Sequence, residues 1–330
     1  MCVDDLPTVS VITPSYNQGE FLEYTIQSVL KQDYPNLEYI LVDGGSQDKS
    51  LEVIQKYASH FTWWVSEPDR GQAEAINKGL KHASGEVIAW LNSDDLYLPG
   101  AISSAVKALQ DNPDAGMVYA DAITIDENGH PLKLLRFPDW GLEQLMGFRI
   151  ICQPAVFMRR VVLEQVGWLD ERFDYLLDHH LWLRLASQAR VVHVSAFWAA
   201  ARHHARAKNV HQAEGFAEEV LRLVAWMQTQ PHLLVRFERN RRQVLAGAYR
   251  LRGRYLLEAG MATQALRSYW RAMTYSPAYT LRHWHRILYA LFSLMGAERV
   301  SLLYAHLKRT RRPSLTALPA LEGWCGLRLS

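Results

Sequence analysis

Gly85-Glu86-Val87-Ile88-Ala89-Trp90-Leu91-Asn92-Ser93-Asp94-Asp95 reads as a short apolar strand that runs into a polar turn ending in two adjacent carboxylates. The strand, Glu86 to Leu91, is too short for a helix and is rich in the residue types of a buried sheet. The same pattern recurs upstream. Val9 to Thr13 runs into Pro14-Ser15-Tyr16-Asn17, Leu37 to Val42 into Asp43-Gly44-Gly45-Ser46-Gln47-Asp48, and Phe61 to Val65 into Glu67-Pro68-Asp69-Arg70-Gly71-Gln72. A fifth run, Gly116 to Tyr119, lies downstream. Amphipathic helices fill the intervals. The clearest places Ile102, Ala105, Val106 and Leu109 at i, i+3, i+4 and i+7, opened by Pro99 in its first turn and stopped by Asp111-Asn112-Pro113. Strands alternating with such helices predict right-handed βαβ units and a mostly parallel sheet. Ligands of such sheets bind outside the carboxyl ends of the strands.

Each polar turn taken alone reads as a turn or a helix cap. Four consecutive strand ends on one sheet edge, the last carrying a carboxylate pair, fit a nucleotide site whose metal neutralises phosphate charge.

The motifs Val9 to Asn17, Val42 to Asp48, Asp69 to Gly79 and Gly85 to Asp95 resemble, in order, those of the family 2 inverting glycosyltransferases. The resemblance covers roughly residues 7 to 210. It includes Phe173-Asp174-Tyr175-Leu176-Leu177-Asp178-His179-His180-Leu181-Trp182-Leu183-Arg184-Leu185, which is similar to the acidic segment that supplies the family's catalytic base. The implied fold is α/β, a mostly parallel nucleotide-diphospho-sugar transferase sheet flanked by helices. The division that follows is a catalytic domain over 1–210 and an all-helical, Arg-rich extension over 211–330.

The resemblance also implies roles. Asp94 stands at the last acid of the family's Asp-X-Asp motif and would ligate Mg²⁺ or Mn²⁺ bridging the donor's diphosphate. Asn92 stands where the first Asp usually does, which keeps an oxygen but removes a charge. Asp95 reads as a cap or as support for its neighbour. Asp43 resembles the acid that hydrogen-bonds the base, and Thr13, Pro14 and Ser15 would hold base and ribose partly through backbone groups. Arg70 sits where the family places a donor to the nucleotide, with a surface ion pair to Asp69 or Glu67 as the other reading. Asn77 and Lys78 read as structural. Asp178 aligns with the catalytic base, although Leu177 and His180 replace the usual acids around it; its other reading is an N-cap. His179 and His180 read as capping or packing residues. Gln153 would touch donor sugar or acceptor, and Arg202, His204 and Lys208 would close over the diphosphate, or else form a basic surface loop.

From about residue 211 the pattern turns helical. Ala248 to Gly260 followed by Ala265, Tyr269, Ala272 and Pro277 resembles one tetratricopeptide-like hairpin. Residues 1–214 hold 18 Lys+Arg against 28 Asp+Glu and residues 215–330 hold 18 against 6, although the net charge is only +2. The basic half suits an anionic surface. With Arg282, Arg286, Arg299, Lys308, Arg309, Arg311 and Arg312 around it, the apolar stretch Ile287 to Ala297 is too short to span a bilayer and reads either as a helix on an anionic membrane or as a core helix with a basic tail. No nucleic-acid motif accompanies the charge, so nucleic acid is not expected as a partner.

Three cysteines without metal-ligand spacing point to a reducing compartment. With no basic region before an apolar core at the N-terminus, the reading is a cytoplasmic protein, peripheral at the inner face of the membrane. No Gly-X-Ser-X-Gly elbow or P-loop is present, and Pro14-Ser15-Tyr16-Asn17 stands where a sugar nucleotidyltransferase would show a Gly-rich, Arg-containing loop. The expectation is transfer of a sugar from a nucleotide-diphosphate donor to a hydroxyl of a glycan or lipid-linked acceptor, in bacterial surface polysaccharide synthesis. The alternative is an impaired nucleotide-sugar-binding or scaffold protein acting through its helical annex.

Overall fold

The computed structural model describes residues 6–208, 212–294 and 321–328. Residues 6–141, 151–203 and 321–328 form one compact unit, and residues 142–150, 204–208 and 212–294 a second.

The first unit is built on a nine-stranded sheet in the order β3-β2-β1-β4-β8-β6-β9-β5, with β7 against β6. The strands are β1 (Val9–Ser15), β2 (Leu37–Asp43), β3 (Trp63–Ser66), β4 (Val87–Trp90), β5 (Leu96–Tyr97), β6 (Ala115–Asp126), β7 (Pro131–Leu135), β8 (Val156–Arg159) and β9 (Arg190–His203). The helices between them are α1 (Leu22–Leu30), α2 (Ser50–Lys56), α3 (Gln72–His82), α4 (Ala101–Asp111), α6 (Arg160–Val166) and α7 (Leu177–Gln188); α5 (Leu142–Met146) belongs to the second unit. The four strands from β3 to β4 pair in parallel, as their intervening helices require. Beyond β4 the sheet is mixed: β8 runs antiparallel to both β4 and β6, while β6 and β9 are parallel.

β1 is buried along its whole length. Helix α3 lies so close to it that a Cβ added at Gly79 would sit 2.5 Å from Ile12 Cγ2, so glycine is the residue that permits the approach. The expected apolar face of α4, Ile102, Ala105, Val106 and Leu109, is buried in the main core beside Val118 and Trp198. The far edge is closed by residues 321–328. Leu321, Cys325 and Leu327 pack with Leu96, Leu98, Ile123, Ile125 and Ala200, and the Trp324 indole N–H donates to the Tyr97 carbonyl at 2.9 Å.

The second unit is helical: α8 (Ala213–Thr229), α9 (Pro231–Glu258), α10 (Ala262–Tyr275), α11 (Pro277–Leu281) and α12 (Trp284–Leu294) join α5. Helices α9 and α10 form a hairpin around Gly260, whose φ of +76° ends the first helix. Residues 142–150 leave the order 1–210 and 211–330 because they pack on α9. The Phe148 carbonyl accepts from the buried Arg250 guanidinium at 2.8 Å, and the backbone at Gly147 meets α9 where Gly247 offers no side chain.

Candidate active site

The carboxyl ends of β1 and β2 are tied together before any ligand is considered. Gly44 N–H donates to the Ser15 carbonyl at 2.8 Å, Asn17 N–H to Ser46 Oγ at 2.8 Å, and Gln47 N–H to Asn17 Oδ1 at 2.8 Å. Asp43 organises this junction from within. Fully buried, it accepts from Gly45 and Ser46 N–H, Ser46 Oγ and Ser66 Oγ. Thr13 turns its hydroxyl inward to Tyr39 Oη at 3.2 Å. Pro14 is buried in β1. The buried Ser15 Oγ has no protein partner, the mark of a group set aside for something else.

At the end of β4 a second network forms. The Gln72 amide donates to Asn92 Oδ1 at 2.7 Å, Asn92 Nδ2 donates to Gln153 Oε1 at 3.1 Å and more weakly to Asp95 Oδ2 at 3.3 Å, and Gln153 Nε2 donates to the Trp90 carbonyl at 2.8 Å. Asn92 thus accepts from Gln72 on its oxygen, and Gln153 is engaged at both ends of its amide. Asp95 is buried and caps nothing: α4 starts from Gly100 without a side-chain cap, while the Asp95 carboxylate accepts the Arg202 N–H at 2.9 Å. Burial, and next the charge of Asp94, raise the Asp95 carboxyl well above its usual range.

Arg202 is held within the protein. It is 6% exposed, and its guanidinium donates to the carbonyls of Asp94, Asp126 and Glu127. These contacts clamp the acidic turn from behind. Arg70 likewise reaches Glu74 at 2.8 Å and Glu171 at 2.6 Å on the surface, in place of either expected partner. His204 and Lys208 belong to the second unit, after β9.

Asp178 lies in the first turn of α7, half-buried, and accepts its neighbour's N–H from His179 at 2.7 Å; the N-cap is Leu176. One turn on, Trp182 stacks against Trp90 at 5.1 Å between ring centroids, which joins the start of α7 to the end of β4. Both indole N–H groups are buried without a protein partner. Between these elements lies Cys152, whose thiol is raised first by burial and then by the charges of Asp95 and Asp178. Neither the Trp pair nor Cys152 was among the expected site residues; Trp182 carried a signal, at i+4 from Asp178. His179 and His180 are buried packing residues. His180 stacks on Phe173 at 4.2 Å, and desolvation lowers its pKa to about 3.

Among the described residues no group of three or more His, Cys, Asp or Glu forms a ready metal cage. Mg²⁺ and Mn²⁺ at phosphate sites need fewer protein ligands than that, since one or two carboxylates suffice beside phosphate oxygens and water. Asp94, partly exposed at the end of β4 beside the buried Asp95, fits such an ion.

The family model for glycosyl transferase family 2 matches residues 10–167. An uncharacterized glycosyltransferase of Mycobacterium tuberculosis H37Rv is 32% identical over 188 residues, which cover 54% of this chain and 69% of that protein. The chain belongs to glycosyl transferase family 2. An uncharacterized glycosyltransferase of Rickettsia typhi is 31% identical over 188 residues, and this family 2 chain spans 58% of that relative's length. The O-antigen biosynthesis protein RfbC of Myxococcus xanthus is 30% identical over 185 residues, 54% of this chain and 14% of that one. Two solved structures share the fold. S. aureus TarS 1–349 in complex with UDP-GlcNAc has a TM-score of 0.55 at 17% identity, covering 82% of this chain and 91% of that one. The mannosyltransferase PcManGT from Pyrobaculum calidifontis in complex with GDP-Man and Mn²⁺ has a TM-score of 0.59 at 20% identity, covering 88% and 86%.

Proposed function

We propose that this family 2 chain is an inverting glycosyltransferase that moves a sugar from a nucleotide diphosphate to a hydroxyl of a glycan or lipid-linked acceptor. The observation that carries the reading is the alignment of the ends of β1, β2 and β4 on one sheet edge, with α7 fastened to β4 through the Trp90–Trp182 stack. The orphaned Ser15 Oγ and the rigid Asp43 loop suit the nucleoside, and solved relatives of this fold carry UDP-GlcNAc and GDP-Man.

Asp94 would hold the divalent ion, which when bound offsets charge developing on the departing diphosphate. Asp178 takes the proton of the acceptor hydroxyl on its carboxylate, and the hydroxyl oxygen attacks the anomeric carbon opposite the leaving group, inverting its configuration. Arg202 contributes by fixing the backbone of the Asp94 turn. The similarity to RfbC supports a place in bacterial surface polysaccharide synthesis. The free thiols Cys152 and Cys325 accord with a cytoplasmic reaction.

The test is thermal unfolding of the purified protein with a panel of nucleoside diphosphates, with and without Mn²⁺. The expected outcome is a rise in midpoint for one base, enlarged by Mn²⁺ in the parent and not in Asp94→Ala. Absence of a shift with every nucleotide sinks the reading.

A further inference from the structure

Helix α12 is built against the rule for a packed helix. Of its eleven residues only Ala290 is buried, while Trp284, Leu288, Leu291 and Phe292, spaced i, i+4, i+7 and i+8, form one exposed stripe. Leu291 carries that stripe into a groove of about 570 Å³ between α12 and α10, lined on the α10 side by Leu266, Trp270 and Met273. Trp270 is 71% exposed and Trp284 59%. A globular protein seldom leaves so many large apolar side chains together in water without a partner.

The charge around the stripe identifies that partner. From Ala259 to Ala297 there is no Asp or Glu, and the cations in this stretch are Arg267, Arg271, Arg282 and Arg286. Arg267 and Arg271 border the groove itself, and Arg267, Arg271 and Arg282 are exposed. Beside the stripe Glu258 meets Arg286 at 3.5 Å, and Arg267, Arg271 and Arg282 make the rest of the rim cationic, which a protein partner for an apolar groove does not require. A surface that offers both an apolar interior and fixed negative charge does, and the indole rings prefer the boundary between the two.

We propose that the α10–α12 face of the second unit binds anionic lipid bilayers, with Trp270, Trp284, Leu288, Leu291 and Phe292 entering the headgroup boundary and Arg267, Arg271 and Arg282 pairing with lipid phosphate. None of the described helices is long and apolar enough to cross a membrane, so the association lies in the interfacial plane. This face carries none of the residues assigned to nucleotide or acceptor, and its binding is independent of the catalytic reading. The sequence expectation centred on Ile287 to Ala297; its last three residues, and the basic residues from Arg299 to Arg312, lie outside the described part of the chain.

The experiment is co-sedimentation of the full chain with phosphatidylcholine vesicles with and without phosphatidylglycerol, read beside tryptophan emission and light scattering. Binding to the anionic vesicles alone is expected, with a blue shift, weakening in high salt, and at least about a tenfold loss of partitioning in both Trp270→Ser/Trp284→Ser and Arg267→Gln/Arg271→Gln/Arg282→Gln. Circular dichroism and unchanged nucleotide-induced stabilisation establish that the variants fold. Equal binding to neutral vesicles, binding unchanged in both variants, or a concentration-dependent dimer that the Trp variant abolishes in the absence of lipid would each overturn the proposal, the last by assigning the face to a second copy.

Discussion

Arg202 and Asp95 are bonded through the backbone of one and the side chain of the other: the Arg202 N–H donates to the Asp95 carboxylate at 2.9 Å, while the Arg202 guanidinium donates to the carbonyl of Asp94 at 3.0 Å. The last strand of the sheet thereby holds both residues of the acidic turn, and each end of the relationship gives a test.

Asp95 is raised by burial and by Asp94. A carboxyl raised in the folded state favours folding below its unfolded value, about 3.9, and that contribution is lost as pH rises through the folded value. Asp95→Asn keeps an oxygen for the Arg202 N–H and has no proton to release. Its stability relative to the parent should therefore climb as pH rises above about 4, measured by urea midpoints across pH. A pH-independent difference would contradict the assignment.

Arg202→Lys leaves a charge but cannot span three carbonyls. We expect a loss of about 2–3 kcal/mol, since buried acceptors are orphaned, together with a weaker Mn²⁺ effect on nucleotide binding. Denaturant unfolding and the thermal-shift titration measure both.

Asp178→Asn should lower transfer by about 10²- to 10⁴-fold, the usual contribution of a general base, with nucleotide-induced stabilisation unchanged. Single-turnover transfer and thermal shift read the two separately. Loss of both together would assign Asp178 to folding or donor binding.

Gly79→Ala should destabilise by about 1–3 kcal/mol through the clash with Ile12, more than the gain in helix propensity returns. A double-mutant cycle with Ile12→Ala is the check. The pair should be less destabilised than the sum of the single changes, and additivity would show that the helix shifts freely.

Trp324→Ala removes the indole donor to Tyr97 and loosens Leu321, Cys325 and Leu327 from the β5 edge. An unfolding cost of about 2 kcal/mol is expected for this partly buried ring. A midpoint equal to the parent's would mean that the segment only rests on the sheet.

The parallel half of the sheet was legible because each of its strands is an apolar run joined to the next by a helix, so Val9, Leu37 and Val87 announce their elements locally. β5 and β8 were not. Leu96–Tyr97 is two residues long, and such an element exists only through the strand that pairs with it. β9 was missed for a related reason: its Phe197-Trp198-Ala199-Ala200-Ala201 run shows neither alternation nor a helical period, and its pairing with β6 shifts register twice beyond Ala120. At the site, the positions of Asp43 and Asp94 followed from strand ends. The contacts of Arg202 and of Arg70 with Glu171 did not, because Asp126 and Glu171 lie far away in sequence from them and no local pattern encodes an encounter across the fold; the Arg70–Glu74 pair, at i and i+4, was open to local reading.

Tyr97 and Trp324 are 227 residues apart in the chain. A ribosome that has made every motif of the nucleotide site, from Val9 to Asp178, has still not delivered the side chains that close the β5 edge. The first unit must wait, with Leu96, Ile123 and Ile125 uncovered, until the helical unit has been synthesised and residue 327 has emerged. Chaperone engagement during synthesis is therefore expected to concentrate on this edge until Leu327 has emerged.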